Sequence, residues 1–195
     1  IENSLKNEIP KALDKYTPLL PFGLPTEATP LGGGSGASRA FSLRSYGLNE
    51  WRDLFTPRQL LALSIFVIKT REIRNSIGDF KYPQEWIEAI QAYEAAGLDR
   101  LVDFCNVNTQ WKIDVPTINH ALVRFAIQIT WDYAEGNPIG NIAGSYGICL
   151  DRVAIGLDTL MKLPKGLEKP SVSIGSAMFP LPKADIIITD PPYYD

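Results

Sequence analysis

Residues 185–195 read Asp-Ile-Ile-Ile-Thr-Asp-Pro-Pro-Tyr-Tyr-Asp, three consecutive isoleucines followed, after Thr189 and Asp190, by a pair of prolines. Isoleucine is stiff at χ1 and suits the pleat of a strand, and an unbroken apolar run reads as a strand covered on both faces, as in a parallel sheet. Pro191 and Pro192 each fix φ and remove a backbone donor, so a ladder cannot continue through them. In open parallel sheets the chemistry lies just beyond the carboxyl ends of the strands. Asp190, Pro191, Pro192 and Tyr193 occupy that position. The expected class is therefore α/β, a mostly helical chain with a few strands.

The residue types at 190–193 suit one kind of chemistry, transfer of a methyl group to the exocyclic amine of a base. The lone pair of such an amine is delocalised into the ring and must be localised before it can attack. A carboxylate and a backbone carbonyl, each accepting one amine hydrogen, would do so by orientation and by preplaced acceptors. Asp190 and the Pro191 carbonyl match those two roles, and Tyr193 would stack on a base taken out of the duplex. The alternative is a strand that ends in a proline-rich surface turn, with Tyr193 packed on the core.

At these residues the chain resembles the amino-methyltransferases that use S-adenosylmethionine, and among them the adenine-specific DNA methylases of bacteria and archaea that often carry a zinc-ribbon module. The likeness extends to YGLNEWRDLFTPRQLLAL at 46–63, LDRL at 98–101, WDYAEGNP at 131–138 and TDPPYYD at 189–195. It covers roughly residues 39–195. The resemblance implies a Rossmann-like methyltransferase domain with a helical insertion, S-adenosylmethionine as cofactor and DNA as substrate. It also implies that Val172-Ser173-Ile174 is the strand preceding the catalytic one and that Gly175, Ser176 and Ala177 form a cofactor-binding turn. Ser176 stands where the family usually has an acid. A hairpin between the two strands is the alternative to a crossover, because residues 175–183 are few for a helix.

On this reading residues 1–38 are an N-terminal segment with a Pro/Gly-rich linker, 39–170 a helical region, and 171–195 the strands and catalytic loop. The family's glycine-rich cofactor loop is not among these residues and is expected upstream, so the chain is expected to be an internal segment, inactive alone and completed by the remaining parts of the same polypeptide. Two rival functions stay open. One is a non-catalytic helical module for nucleic-acid binding or interaction, and the other is methylation of an amine in RNA or protein.

Composition bounds the rest. With 195 residues, 45% hydrophobic and 21% charged, the chain can bury one good core. No apolar run approaches membrane-spanning length and the start lacks a signal-peptide profile, so no membrane partner is expected and the cytoplasm is the default location. Cys105 and Cys149 lie far apart without a metal-binding spacing, which makes them buried thiols rather than a disulfide or zinc pair. His120, the single histidine, has no companion ligand in sequence and is expected in a structural hydrogen bond.

Net charge is -3, yet residues 39–81 hold eight Lys or Arg against four acids and are net +4. Arg58, Arg71 and Arg74 lie in this stretch and are the candidate nucleic-acid contacts. Arg71 and Arg74 fall near the end of a predicted helix, where complementing the helix dipole is an equally good role.

Thr56-Pro57-Arg58-Gln59 is the clearest helix start, with Thr56 as N-cap, Pro57 at the first position, Gln59 closing a capping box, and Phe55 with Leu60 as staple. That helix should stop near Gly78. From 84 to 105, Trp86, Ile90, Tyr93, Gly97, Leu101 and Phe104 keep one phase, which predicts a single helix with Gly97 on its packed stripe. Further helices are expected at 1–16, at 116–134 with Trp131 and Tyr133 in the core, and at 143–162 with Tyr146, Cys149, Val153, Leu157 and Leu160 inward. The Pro, Gly, Thr and Ser of residues 17–38 read as a flexible linker.

Overall fold

The computed structural model describes residues 2–33, 40–115, 117–122, 126–127, 129–164, 166, 168, 170–176 and 183–190. Among them the chain is mostly helical, with α1 (Glu2–Tyr16), α2 (Pro57–Gly78), α3 (Gln84–Phe104) and α4 (Tyr146–Leu160). Two short strands, β1 (Trp111–Lys112) and β2 (Thr117–Ile118), pair antiparallel with Trp111 opposite Ile118. The helices pack in chain order, α1 on α2, α2 on α3 and α3 on α4.

Local chemistry accounts for α2. The Thr56 hydroxyl accepts from the Gln59 amide at 3.2 Å, and the Gln59 side chain accepts from the Thr56 amide at 2.8 Å, so two amides at the start of the helix gain partners. Pro57 follows at the first helical position, where its missing N–H costs nothing.

α3 is one helix through Gly97, as its phase predicts, because α4 lies against it there. A Cβ on Gly97 would stand 2.5 Å from Leu150 Cδ2. The buried cluster gathers Leu63 from α2, Leu101 and Phe104 from α3, Cys105, Ile118 and Cys149. Both cysteines are buried and free. The first half of α3 departs from the expected stripe, since Ile87 is buried while Trp86 is exposed and stacks in parallel on Tyr82. Leu160, expected inward on α4, is exposed.

Three expectations are corrected. The helix expected over 116–134 is absent from the described residues, and Pro116 and Phe125 lie outside them. This stretch is rich in β-branched residues with modest helix propensity, and its backbone groups find distant partners instead. The amides of Asn119, Ala121 and Ala134 donate to the carbonyls of Gln110, Asp103 and Thr109. Trp131, expected in the core, is 83% exposed and meets Tyr46 edge to face. The strands expected at Val172-Ser173-Ile174 and Ile186-Ile187-Ile188 are likewise absent. Ile186 and Ile188 are 78% and 91% exposed, and the one sheet among the described residues is β1–β2. A strand exists only through a neighbour that takes its amides, and no described segment does so here.

Where composition reads as a linker, residues 25–29 are zipped to 49–52. Thr29, Trp51 and Arg52 donate their amides to the carbonyls of Asn49, Glu27 and Pro25. The Thr29 hydroxyl donates to Leu48 O at 2.7 Å, and Thr29 is almost fully buried. Of the glycine-rich stretch at 32–36, Gly34, Ser35 and Gly36 lie outside the described residues. No described helix is long and apolar enough to cross a membrane.

Candidate functional site

Of the four residues expected to carry catalysis, Asp190 is described and is exposed, and Pro191, Pro192 and Tyr193 lie outside the described residues. Gly175 and Ser176 of the expected cofactor turn are also exposed, and Ala177 lies outside. Residues 170–175 and 183–189 make no hydrogen bond with any part of the described structure. Val172, Ile174 and the three isoleucines therefore present an apolar surface that nothing in the helical core covers.

The three candidate nucleic-acid arginines separate into two situations on α2. Arg58, in the first turn, directs its guanidinium fork at Glu135, with Nε donating to Oε1 at 2.9 Å. That hydrogen bond, and then the attraction of the carboxylate, push the Arg58 guanidinium still further above its ordinary value. An arginine paired in this bidentate way has its charge offset by the carboxylate, which weakens its pull on a phosphate. Arg71 and Arg74, about 20 Å further along the helix at 1.5 Å per residue, line one open cleft of about 480 Å³ with Leu19, Glu72, Asn75 and Gln91. Glu72, the acid on that cleft among the described residues, is paired with Lys69.

His120 is held as a structural histidine. Its Nδ1 bonds the Asp103 carboxylate and its ring packs on Phe104 with centroids 4.2 Å apart. Asp103 uses its other oxygen to accept the Leu122 amide at 2.6 Å. Among the described residues no group of three or more His, Cys, Asp or Glu could hold a metal ion.

Two further clefts formed by tertiary packing went unread in the sequence. Trp111, Trp131, Gln110, Thr130 and Asp132 flank an open groove of about 490 Å³. Arg100, Lys112, Thr117, Asn119, His120 and Arg152 converge on a smaller cleft of about 210 Å³. The positive charges of this second cleft are 52 residues apart in sequence at their extremes, and no local pattern announces them. An apolar cavity of about 420 Å³ beneath residues 20–25, lined by Trp51, Phe55, Leu60, Leu63 and Val67, has Ser64 as its one polar side chain. Compared with family models, with curated proteins and with solved structures, the chain shows no match to any of them.

Proposed function

We propose that this chain is a segment of a DNA amino-methyltransferase that transfers a methyl group from S-adenosylmethionine to the exocyclic amine of adenine. The observation that carries the reading is the sequence at 185–195, an apolar β-branched run delivering Asp-Pro-Pro-Tyr. Asp190 accepts one amine hydrogen and the Pro191 carbonyl the other, which turns the lone pair toward the methyl donor, and Tyr193 stacks on the extruded base. The exposed isoleucines agree with this reading, because they are apolar groups that call for a covering sheet. In this proposal that sheet comes from the remaining parts of the same polypeptide. Gly175 and Ser176 line none of the clefts described above. In this proposal the cofactor pocket is completed by those remaining parts. Arg71 and Arg74, which share one open cleft, are the α2 cations this proposal assigns to the DNA backbone.

The test is single-turnover methyl transfer to duplex DNA by the polypeptide that carries this segment. Asp190→Ala removes an acceptor that strengthens as the amine becomes pyramidal. It should lower the rate roughly a hundred- to a thousandfold while leaving DNA affinity nearly unchanged, the signature of lost transition-state binding. Tyr193→Ala should instead weaken capture of the base by about 1–3 kcal/mol. Near-normal methylation by Asp190→Ala would overturn the catalytic reading. A second reading, a non-catalytic helical interaction module, is favoured by one observation. Residues 183–189 make no hydrogen bond with the helical core. It predicts that Asp190→Ala is silent in every assay.

A further inference from the structure

We propose that the cleft between the end of α3, the β1–β2 hairpin and the first turns of α4 is a binding site for a phosphate-type oxyanion. Three cations reach it from three separate elements, Arg100 from α3, Lys112 from β1 and Arg152 from α4. Thr117 and Asn119 add a hydroxyl and an amide on the same lining.

Among the described residues no carboxylate lines this cleft. Ion pairs among the described residues join Arg52 with Glu50, Arg58 with Glu135, Lys69 with Glu72 and His120 with Asp103, and none of these involves Arg100, Lys112 or Arg152. Asp103 bonds His120 through one oxygen and accepts the Leu122 amide through the other, and it forms no ion pair with Arg100, Lys112 or Arg152. A concave surface lined by one sign of charge focuses its field on whatever occupies it, and arginines present donors in the planar fork that oxyanions accept.

The wall orients one of the three cations, while Lys112 and Arg152 are exposed at the mouth. The Arg100 guanidinium lies over the Phe104 ring, 5.6 Å from its centroid, an arrangement that orients the group without using its N–H donors. Gly144, with φ +85°, turns the chain into α4 hard against the same phenylalanine. A Cβ there would stand 2.7 Å from Phe104 Cβ, so only glycine allows so close an approach. The cleft, at about 210 Å³, holds on the order of seven waters at ~30 Å³ each. That suits one tetrahedral oxyanion with part of what it is attached to. A phosphate carries more negative charge than a carboxylate and spreads its acceptor oxygens tetrahedrally, which matches cations arriving from three separate elements better than a planar carboxylate does. The oxyanion could belong to a free phosphate compound or to a nucleic-acid backbone. This inference stands on the cleft alone and does not depend on the methyltransferase reading.

The experiment titrates the 195-residue chain with inorganic phosphate by calorimetry, in chloride buffer of fixed ionic strength. Saturable binding is expected, with sulfate competing. Arg100→Gln/Arg152→Gln should weaken it at least tenfold, and so should Lys112→Gln/Arg152→Gln, which spares the half-buried Arg100 in case its loss disturbs packing. Lys11→Gln/Lys15→Gln, which removes the same charge from α1, should leave it unchanged. A short single-stranded oligonucleotide without a terminal phosphate then separates the sources. Competition with inorganic phosphate, abolished by the cleft variants, assigns the site to a backbone, and failure to compete assigns it to free phosphate compounds. Absence of phosphate binding, or an equal loss in the α1 variant, would overturn the proposal.

Discussion

At the scale of single residues, the described ionisable groups with raised pKa values include three inside the helical packing. Burial pushes the Cys105 thiol up to about 11 and the Cys149 thiol up as well, and burial together with the Glu94 carboxylate raises the Tyr146 hydroxyl. Each group is neutral when protonated, so a raised folded-state value means that the folded chain holds its proton more tightly than the unfolded one. For Cys105 the stabilising contribution is complete below pH 9.0, the ordinary thiol value, and is lost as the pH rises through about 11. Urea midpoints should be flat from pH 7 to 8 and then decline, with Cys105 contributing up to ~1.4 kcal/mol per pH unit. Cys105→Ala should make the decline shallower. A midpoint that rises with pH in this window would contradict the burial of these groups.

At the scale of elements, the contact between α3 and α4 at Gly97 separates helix propensity from packing. Gly97→Ala gains up to ~1 kcal/mol of propensity and pushes on Leu150 Cδ2, the free end of a side chain that can rotate, with Leu150 Cγ next at 3.2 Å. The two effects nearly cancel, so unfolding free energy should change little. Gly97→Val adds two more carbons against Leu150 and loses the propensity gain, and should destabilise by about 1–3 kcal/mol. Denaturant unfolding of the pair decides the matter, and equal stabilities would mean that α4 does not lie against this position. The start of α2 is a contrasting case, because the partners of its capping box are three residues apart and form without help from another element.

At the scale of the whole molecule, the helical core and the residues at 183–189 should differ sharply in hydrogen exchange. The α2 and α3 amides bond within packed helices, whereas residues 183–189 have no hydrogen bond in the described structure and expose three isoleucines. In the chain as it stands, those amides should exchange near the rate of an unstructured peptide, roughly a thousandfold or more faster than the core of α3. Protection at 186–188 would show a strand partner within this chain and would overturn the reading of an uncovered surface.

How much of this was legible in advance follows from the range over which each signal acts. α2 could be read from Thr56, Pro57 and Gln59, and the unbroken α3 from a phase that Gly97 does not disturb, because capping and 3.6-residue periodicity are local properties. The acidic di-proline step at 190–192 is equally a property of the chain alone. Residues 116–134 show where such reading fails. Their apolar spacing fits a helix, but Asn119, Ala121 and Ala134 found carbonyl partners outside the stretch, and a backbone group satisfied elsewhere has no need of its own turn. The same holds for the candidate sites. Glu135 engages Arg58 across 77 positions, and Arg100, Lys112 and Arg152 meet only because α3, the hairpin and α4 pack together. Sequence alone determined where α2 begins, where the chain cannot continue a strand, and which residues have the chemistry of a site. Tertiary structure alone decided which cations are spent on internal acids and which are gathered on one cleft, because electrostatic pairing depends on distance in space and is indifferent to distance along the chain.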